Sequence, residues 1–117
     1  MHTDIEDPAA FFLTLGDMHD ARFQIRINRP DETLRIDVDD IHINSLDLPE
    51  YPGKQNSTFT FFKVSNIGVD YSIEDSINCR IYDIEIKSEK NSIRHTLTML
   101  ISPDGRLVFD FSTVQQA

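Results

Sequence analysis

The densest group of chemistry-bearing side chains lies at residues 37–44, where three carboxylates and one imidazole fall within six positions. Asp37, Asp39, Asp40 and His42 are residue types that could hold a divalent cation, because hard cations prefer carboxylates and transition metals accept imidazole. Strand alternation, however, puts Asp37 and Asp39 on one outward face, and no glycine folds the run into a ligand loop. The pattern therefore favours a solvated strand face or an acidic docking patch, and we expect no metal or other cofactor.

A second candidate for chemistry is His19-Asp20, which could act as a general base with an orienting carboxylate. Its position between a helix and a strand is equally typical of short polar side chains that bond free backbone groups. The sequence has no Gly-x-Ser-x-Gly nucleophile elbow. Cys79 has no sequence neighbour that would lower the pKa of its thiol. We therefore predict that the protein is not an enzyme.

The charge distribution is the strongest functional signal. Twenty acidic and eleven basic residues give a net charge of −9, which argues against nucleic-acid binding and against attachment to anionic membranes. Residues 31–50 alone hold seven acidic groups against one arginine and lead into a loop with an aromatic residue. This window predicts a docking surface for a basic protein, with plain solubility as the alternative. The predicted partner-binding residues are Asp31, Glu32, Asp37, Asp39, Asp40, His42, Asp47, Glu50 and Tyr51.

Two other functional hypotheses remain open. His95 interrupts an otherwise apolar strand face, which indicates either a hydrogen-bonded sheet histidine or a ligand contact in a pocket with Tyr82 and Phe109. With such a pocket, the protein would be a small-molecule-binding β-barrel or an enzyme. Alternatively, the protein is a structural subunit that forms a homodimer through an exposed sheet edge.

The length of 117 residues fits one domain, with residues 1–6 expected to be disordered. The single Cys79 excludes an intramolecular disulfide and favours a reducing compartment. The apolar run 9–15 follows acidic rather than basic residues and is too short to span a bilayer, so it does not resemble a signal peptide. A cytoplasmic location is expected.

Local patterns predict one short helix and many strands. Asp7-Pro8 and Gly16 bracket a helix at 8–15. Alternation predicts a hairpin of strands 23–27 and 34–38, continued beyond a bulge by Ile41 and Ile43, and then a long loop at 44–57. Further strands are predicted at 58–64, 77–87 and 93–101, with residues 65–76 ambiguous between a strand and a connection.

The end of the chain carries the clearest turn. Ser102-Pro103-Asp104-Gly105 predicts a hairpin with a loop at 103–105, after a turn at 88–91 and a bulge near Ile81. That loop would place Ile101 opposite Leu107, Met99 opposite Phe109, Leu97 opposite Phe111 and His95 opposite Thr113. The fold class is therefore mainly β, an antiparallel β-sandwich or partly open barrel of six to eight strands with one short N-terminal helix.

Several short segments of the chain resemble small β-rich bacterial proteins. They are His19-Asp20-Ala21 before an alternating strand, Phe59-Thr60-Phe61-Phe62-Lys63-Val64, Ile81-Tyr82-Asp83-Ile84 and Gly105-x-Leu107-x-Phe109-x-Phe111. Several of these bacterial proteins belong to immunity families associated with polymorphic toxin systems. The resemblance covers roughly residues 19–114 and implies a cytoplasmic antitoxin that binds and blocks a toxin domain. It carries no catalytic motif.

Overall fold

Alternating apolar side chains build two antiparallel β-sheets in the computed structural model, which describes residues 3–70, 79–88, 94–102 and 105–117. The helical segments are α1 (Pro8–Thr14) and two 3-10 turns, Gly16–Met18 and Ile43–Ser45. The strands are β1 (Thr3–Asp4), β2 (Phe23–Asn28), β3 (Thr33–Val38), β4 (Ser57–Phe62), β5 (Ser65–Asp70), β6 (Arg80–Ser88), β7 (His95–Ser102), β8 (Arg106–Phe111) and β9 (Thr113–Gln116).

The two sheets pack face to face around an aromatic core. The first has the strand order β1-β9-β4-β3-β2 and the second the order β5-β8-β7-β6. Phe61 of the first sheet contacts Phe109 and Phe111 of the second, with ring centroids 5.0 and 4.9 Å apart. Both inner faces carry buried apolar residues at every second position, the pattern of a sandwich. The prediction of a mainly β, antiparallel fold with one short N-terminal helix is confirmed.

Two strand pairs pass from one sheet into the other at a shared corner. Only Ser112 separates β8 from β9, and only residues 63–64 separate β4 from β5. The Ser112 amide donates to the Phe62 carbonyl at 3.0 Å, and the Arg94 guanidinium donates to Ser112 Oγ and to the Lys63 carbonyl, both at 3.1 Å. These bonds satisfy the backbone where the strands bend, as sheet-switching corners require.

The opposite corner joins the start of β2 to the start of β6. The Ile81 amide donates to the Ala21 carbonyl at 2.9 Å, and Arg22 forms an isolated bridge with Arg80. Within the described part of the chain, no longer ladder links β2 to β6, so the sheets do not close into a barrel.

The N-terminal segment confirms the predicted helix signals. The Asp7 side chain accepts a hydrogen bond from the Ala10 amide at 3.2 Å, Pro8 occupies the first turn, and Gly16 follows the helix with φ 61°. Phe12 is buried against Phe59 at a centroid distance of 5.0 Å, so the helix covers one edge of the core. Residues 3–4, which belong to the segment 1–6, pair with β9 as β1.

The prediction that a strand continues through Ile41 and Ile43 is wrong. β3 ends at Val38, and Ile43 begins a 3-10 turn. The reason lies in Asp40, whose side chain accepts a hydrogen bond from the His42 amide at 3.0 Å. Such side-chain bonds to nearby backbone compete with ladder formation and turn the chain out of the sheet.

The predicted β7–β8 hairpin exists, but its predicted register is wrong by two residues. Met99 lies opposite Leu107, Leu97 opposite Phe109 and His95 opposite Phe111. The Ile101 amide donates to the carbonyl of Gly105, so Gly105, which the prediction places in the loop, takes the position predicted for Leu107. A shift of two residues keeps every side chain on its face, which is why the predicted core residues are nevertheless buried.

The remaining strand predictions are resolved as far as the described residues allow. The ambiguous stretch 65–76 begins as strand β5, and the strand predicted at 58–64 is β4, which lies between β3 and β9. A register shift between Ile81 and Asp83 confirms the predicted bulge in β6. Residues 71–78, 89–93 and 103–104, which include parts of predicted strands and turns, lie outside the described residues. No described helix has the length and apolar character needed to cross a membrane.

Candidate functional site

The acidic residues singled out by the sequence lie in two separate places. Asp31 and Glu32 are exposed in the β2–β3 turn, whereas Asp37, Asp39 and Asp40 lie at the other end of β3. Four strand residues, 33–36, lie between Glu32 and Asp37, so the two groups are about 17 Å apart along β3. The structure therefore splits the predicted partner-binding set.

Asp37 is partly neutralised by its neighbours on the outer face of the first sheet. Its carboxylate lies 3.1 Å from Arg35 Nε and accepts a hydrogen bond from Thr58 Oγ1 at 2.7 Å. Partial burial alone would raise the pKa of Asp37, but the bonds from Thr58 and Arg35 outweigh it and hold the pKa below its usual value. Asp37 thus contributes less free negative charge than its exposure along an outward face suggested.

Asp39 closes the end of the β2–β3 hairpin. Its side chain accepts a hydrogen bond from the Arg22 amide at 2.9 Å, and its own amide donates to the Arg22 carbonyl at 3.0 Å. Beside it lies an open depression of about 410 Å³ whose wall includes Gln24, Asp37 and Asn56. The side chain of Asp39 remains partly exposed at its rim.

Asp40, in contrast, is a buried structural carboxylate with only 4% of its surface exposed. It accepts hydrogen bonds from the Tyr51 hydroxyl at 2.6 Å and from the amides of His42 and Gln55 at 3.0 and 3.3 Å. Burial would raise the pKa of Asp40, but these three donors outweigh it and lower the pKa. Asp40 therefore ties together the two ends of the loop between β3 and β4 and is not presented to a partner.

The two other predicted residues of this network share that role. Tyr51 donates its hydroxyl to Asp40, and the bond and the adjacent charge raise the pKa of Tyr51 to about 12. His42 Nε2 lies 3.0 Å from Gln55 Oε1, and the Ile41 amide donates to the Gln55 carbonyl at 2.9 Å. His42 and Tyr51 thus brace the base of the loop.

The tip of this loop, residues 46–50, is hereafter called the acidic loop. Its backbone is fixed by hydrogen bonds from the Leu46 amide to the Ile43 carbonyl, from Leu48 to Ser45 and from Tyr51 to Leu48, at 2.9–3.1 Å. Every residue of the acidic loop is exposed, including Asp47 and Glu50. Among the described residues, neither of these two carboxylates has a hydrogen-bond or ion-pair partner. This is the part of the predicted set that is free to meet a partner.

The acidic loop forms one wall of an open groove of about 430 Å³. The opposite wall carries the predicted base and carboxylate, His19 and Asp20, together with Arg80. Arg80 donates to the Asp20 carbonyl at 3.3 Å, and the His19 ring, through Nδ1, bonds the Tyr82 carbonyl. The groove residues that the sequence analysis did not identify are Ile43, Leu46, Leu48 and Arg80. The two leucines that flank Asp47 in the predicted loop were a visible signal.

In the described part of the chain, the three residues of the alternative ligand pocket, His95, Tyr82 and Phe109, do not line one common pocket. Phe109 is fully buried in the core against Phe61, and His95 bonds Ser88 and stacks on Phe111 with centroids 5.1 Å apart. Tyr82 lies near the other end of β6, where its side chain is 56% exposed beside His19. His95 is therefore the hydrogen-bonded sheet histidine that was one of the two sequence interpretations.

An additional carboxylate pair was not visible in the sequence because its members come from distant elements. Asp17, in the first 3-10 turn with φ 55°, is hydrogen-bonded to Asp83 of β6. Burial, the bond and the negative charge of Asp83 together raise the pKa of Asp17 to about 6. In the described ranges, no group of three or more His, Cys, Asp or Glu residues is arranged to hold a metal ion.

The edges of the two sheets are β1, β2, β5 and β6. Dimerisation through one of them stays a prediction.

No family model, curated protein or solved structure matches this chain.

Proposed function

We propose that the protein is a non-enzymatic binding module that presents its acidic loop to a basic protein partner, as a toxin-neutralising immunity protein would. The supporting observation is the buried Asp40, whose three hydrogen bonds fix the loop base while Asp47 and Glu50 stay exposed and unpaired among the described residues. A loop already held in one conformation loses little entropy on binding.

The charge of the molecule acts in the same direction. A net charge of −9 attracts a cationic partner over several ångströms, and residues 1–57 hold twelve acidic against five basic groups. Such attraction raises the association rate more than it slows dissociation. Exposed charges are screened by salt, with a Debye length of about 8 Å at physiological ionic strength. Binding should therefore weaken as salt rises.

Neutralising a toxin in this way requires no chemistry from the protein. It needs only a surface that covers the working face of the partner, and the described residues offer an ordered exposed loop for that contact.

The test compares two charge reversals that change the net charge equally. The partner is first captured from the native host with the tagged protein, identified and purified. Association rates are then measured for Asp47→Lys/Glu50→Lys and for the control Asp31→Lys/Glu32→Lys, whose positions lie at the far end of β3. We expect the loop variant to associate about tenfold more slowly at low salt, and the control to change much less.

The proposal fails if both double variants slow association equally, because the effect would then come from net charge alone. It also fails if neither variant changes the rate.

A further inference from the structure

We propose that the groove between the acidic loop and the His19–Arg80 wall is an anchor pocket for an apolar side chain that stands next to a lysine or arginine in the partner. The inference rests on the proposed function and specifies what the basic partner must present. Its elements are Leu46 and Leu48 as apolar contacts and Asp47 as the acidic one.

Exposed apolar side chains gather at this groove. Seven large hydrophobic residues are exposed in the described part of the chain. Leu46 and Leu48, 53% and 49% exposed, line the groove, and Tyr82 stands against His19 of the opposite wall. Single exposed leucines need no explanation, but a cluster beside a concave surface is typical of an interaction site.

The exposure of these leucines is enforced by the backbone. Leu46 and Leu48 both donate their amides within the 3-10 turn and its continuation, and the loop base is held by Asp40. These hydrogen bonds hold the backbone from which the two exposed leucine side chains project. A partner side chain would meet a preformed apolar surface, which lowers the entropy cost of binding for a single apolar side chain that enters the groove.

The charges around the groove select the neighbour of that anchor. The groove lining holds two acidic residues, Asp20 and Asp47, against one arginine, Arg80, whose guanidinium also bonds the Asp20 carbonyl. Asp47 lies between the two leucines in sequence and has no ionic partner in the described residues. A cationic group on the partner would pair with Asp47 while its apolar neighbour enters the groove.

A peptide repeating Lys-Leu-Gly serves as the probe, with two matched peptides in which every Leu is replaced by Ser or every Lys by Glu. Binding is followed by amide chemical shifts of the isotope-labelled full-length protein. We expect the Lys-Leu-Gly peptide to shift the amides of residues 19–20, 43–48 and 80. The Ser peptide should bind about tenfold more weakly, and the Glu peptide should not bind.

Two protein variants test the assignment to the groove. Leu46→Asn/Leu48→Asn should weaken the Lys-Leu-Gly peptide about tenfold, whereas Val69→Asn, at a position 45% exposed on the edge strand β5, should leave it unchanged. Shifts centred elsewhere, or equal affinity for the Leu and Ser peptides, would overturn the anchor pocket. If the leucine variant binds normally but Asp47→Lys/Glu50→Lys does not, the pocket is wrong and the acidic loop remains the binding site.

Discussion

The buried carboxylate of Asp40 gives the sharpest stability prediction. Asp40→Ala removes the acceptor for the amides of His42 and Gln55 and for the Tyr51 hydroxyl. Tyr51 is only partly buried, so water can replace Asp40 at its hydroxyl, whereas the two amides lose an ionic acceptor. At roughly 1.5 kcal/mol for each bond to a charged acceptor, the free energy of unfolding should fall by about 3 kcal/mol. That is a large part of the stability of an ordinary domain.

Chemical denaturation at neutral pH measures this loss, and hydrogen exchange shows where it acts. The amides of residues 41–56 should lose protection in Asp40→Ala, while β7 and β8 keep theirs relative to global unfolding. The matched control is Asp31→Ala, which removes an exposed carboxylate from the far end of the hairpin and should change stability by less than about 0.5 kcal/mol. Equal stability of Asp40→Ala and the native protein would refute the structural role of Asp40.

The pH dependence of the same site follows from the sign of its pKa shift. The pKa of Asp40 is lower in the folded protein than its ordinary value of 3.8, so the ionised form stabilises the fold. This contribution is fully present above pH 3.8 and is lost as the pH falls through the folded pKa. The stability gap between the native protein and Asp40→Asn should therefore narrow below pH 3.8. A gap that stays constant in acid would contradict the assigned charge state.

Two further predictions concern positions outside the loop. The pKa of Asp17 is raised in the folded protein, so ionisation of this side chain opposes folding. The stabilisation associated with the protonated carboxyl is fully present below pH 3.8 and is lost as the pH rises through about 6. Asp17→Asn should therefore raise the melting temperature at pH 8 but not at pH 4. Adding Asp83→Asn to this variant should give no further gain. Equal gains from Asp17→Asn at both pH values would refute the proposed interaction between the Asp17 and Asp83 carboxylates. Gly68→Ala places a Cβ 3.0 Å from Val108 Cγ1 and should lower the free energy of unfolding by about 1 kcal/mol. In a protein that already carries Val108→Ala, the same substitution should be neutral or stabilising. The same effect in both backgrounds, measured by denaturation, would contradict the predicted clash.

Much of the fold could be predicted because it depends on local patterns. Alternation of apolar residues identified β2, β3 and β4, and Asp7, Pro8 and Gly16 marked the helix. The register of β7 and β8 was not predictable by alternation, since a shift of two residues leaves the same faces buried. The backbone pairing of β7 with β8, which places Met99 opposite Leu107 and bonds the Ile101 amide to the Gly105 carbonyl, distinguishes the two registers.

The candidate site divides in the same way. The positions of acidic residues in the sequence located the acidic segment, residues 31–50. The net charge of that segment does not depend on how the chain folds. Tertiary structure decided which of those carboxylates are free: Asp40 is buried by its own loop, Asp37 is paired with Arg35, and Asp47 is exposed. Residue type fixes how many charges the chain carries. Their individual environments depend on contacts between residues far apart in sequence, and local pattern holds no information on those contacts.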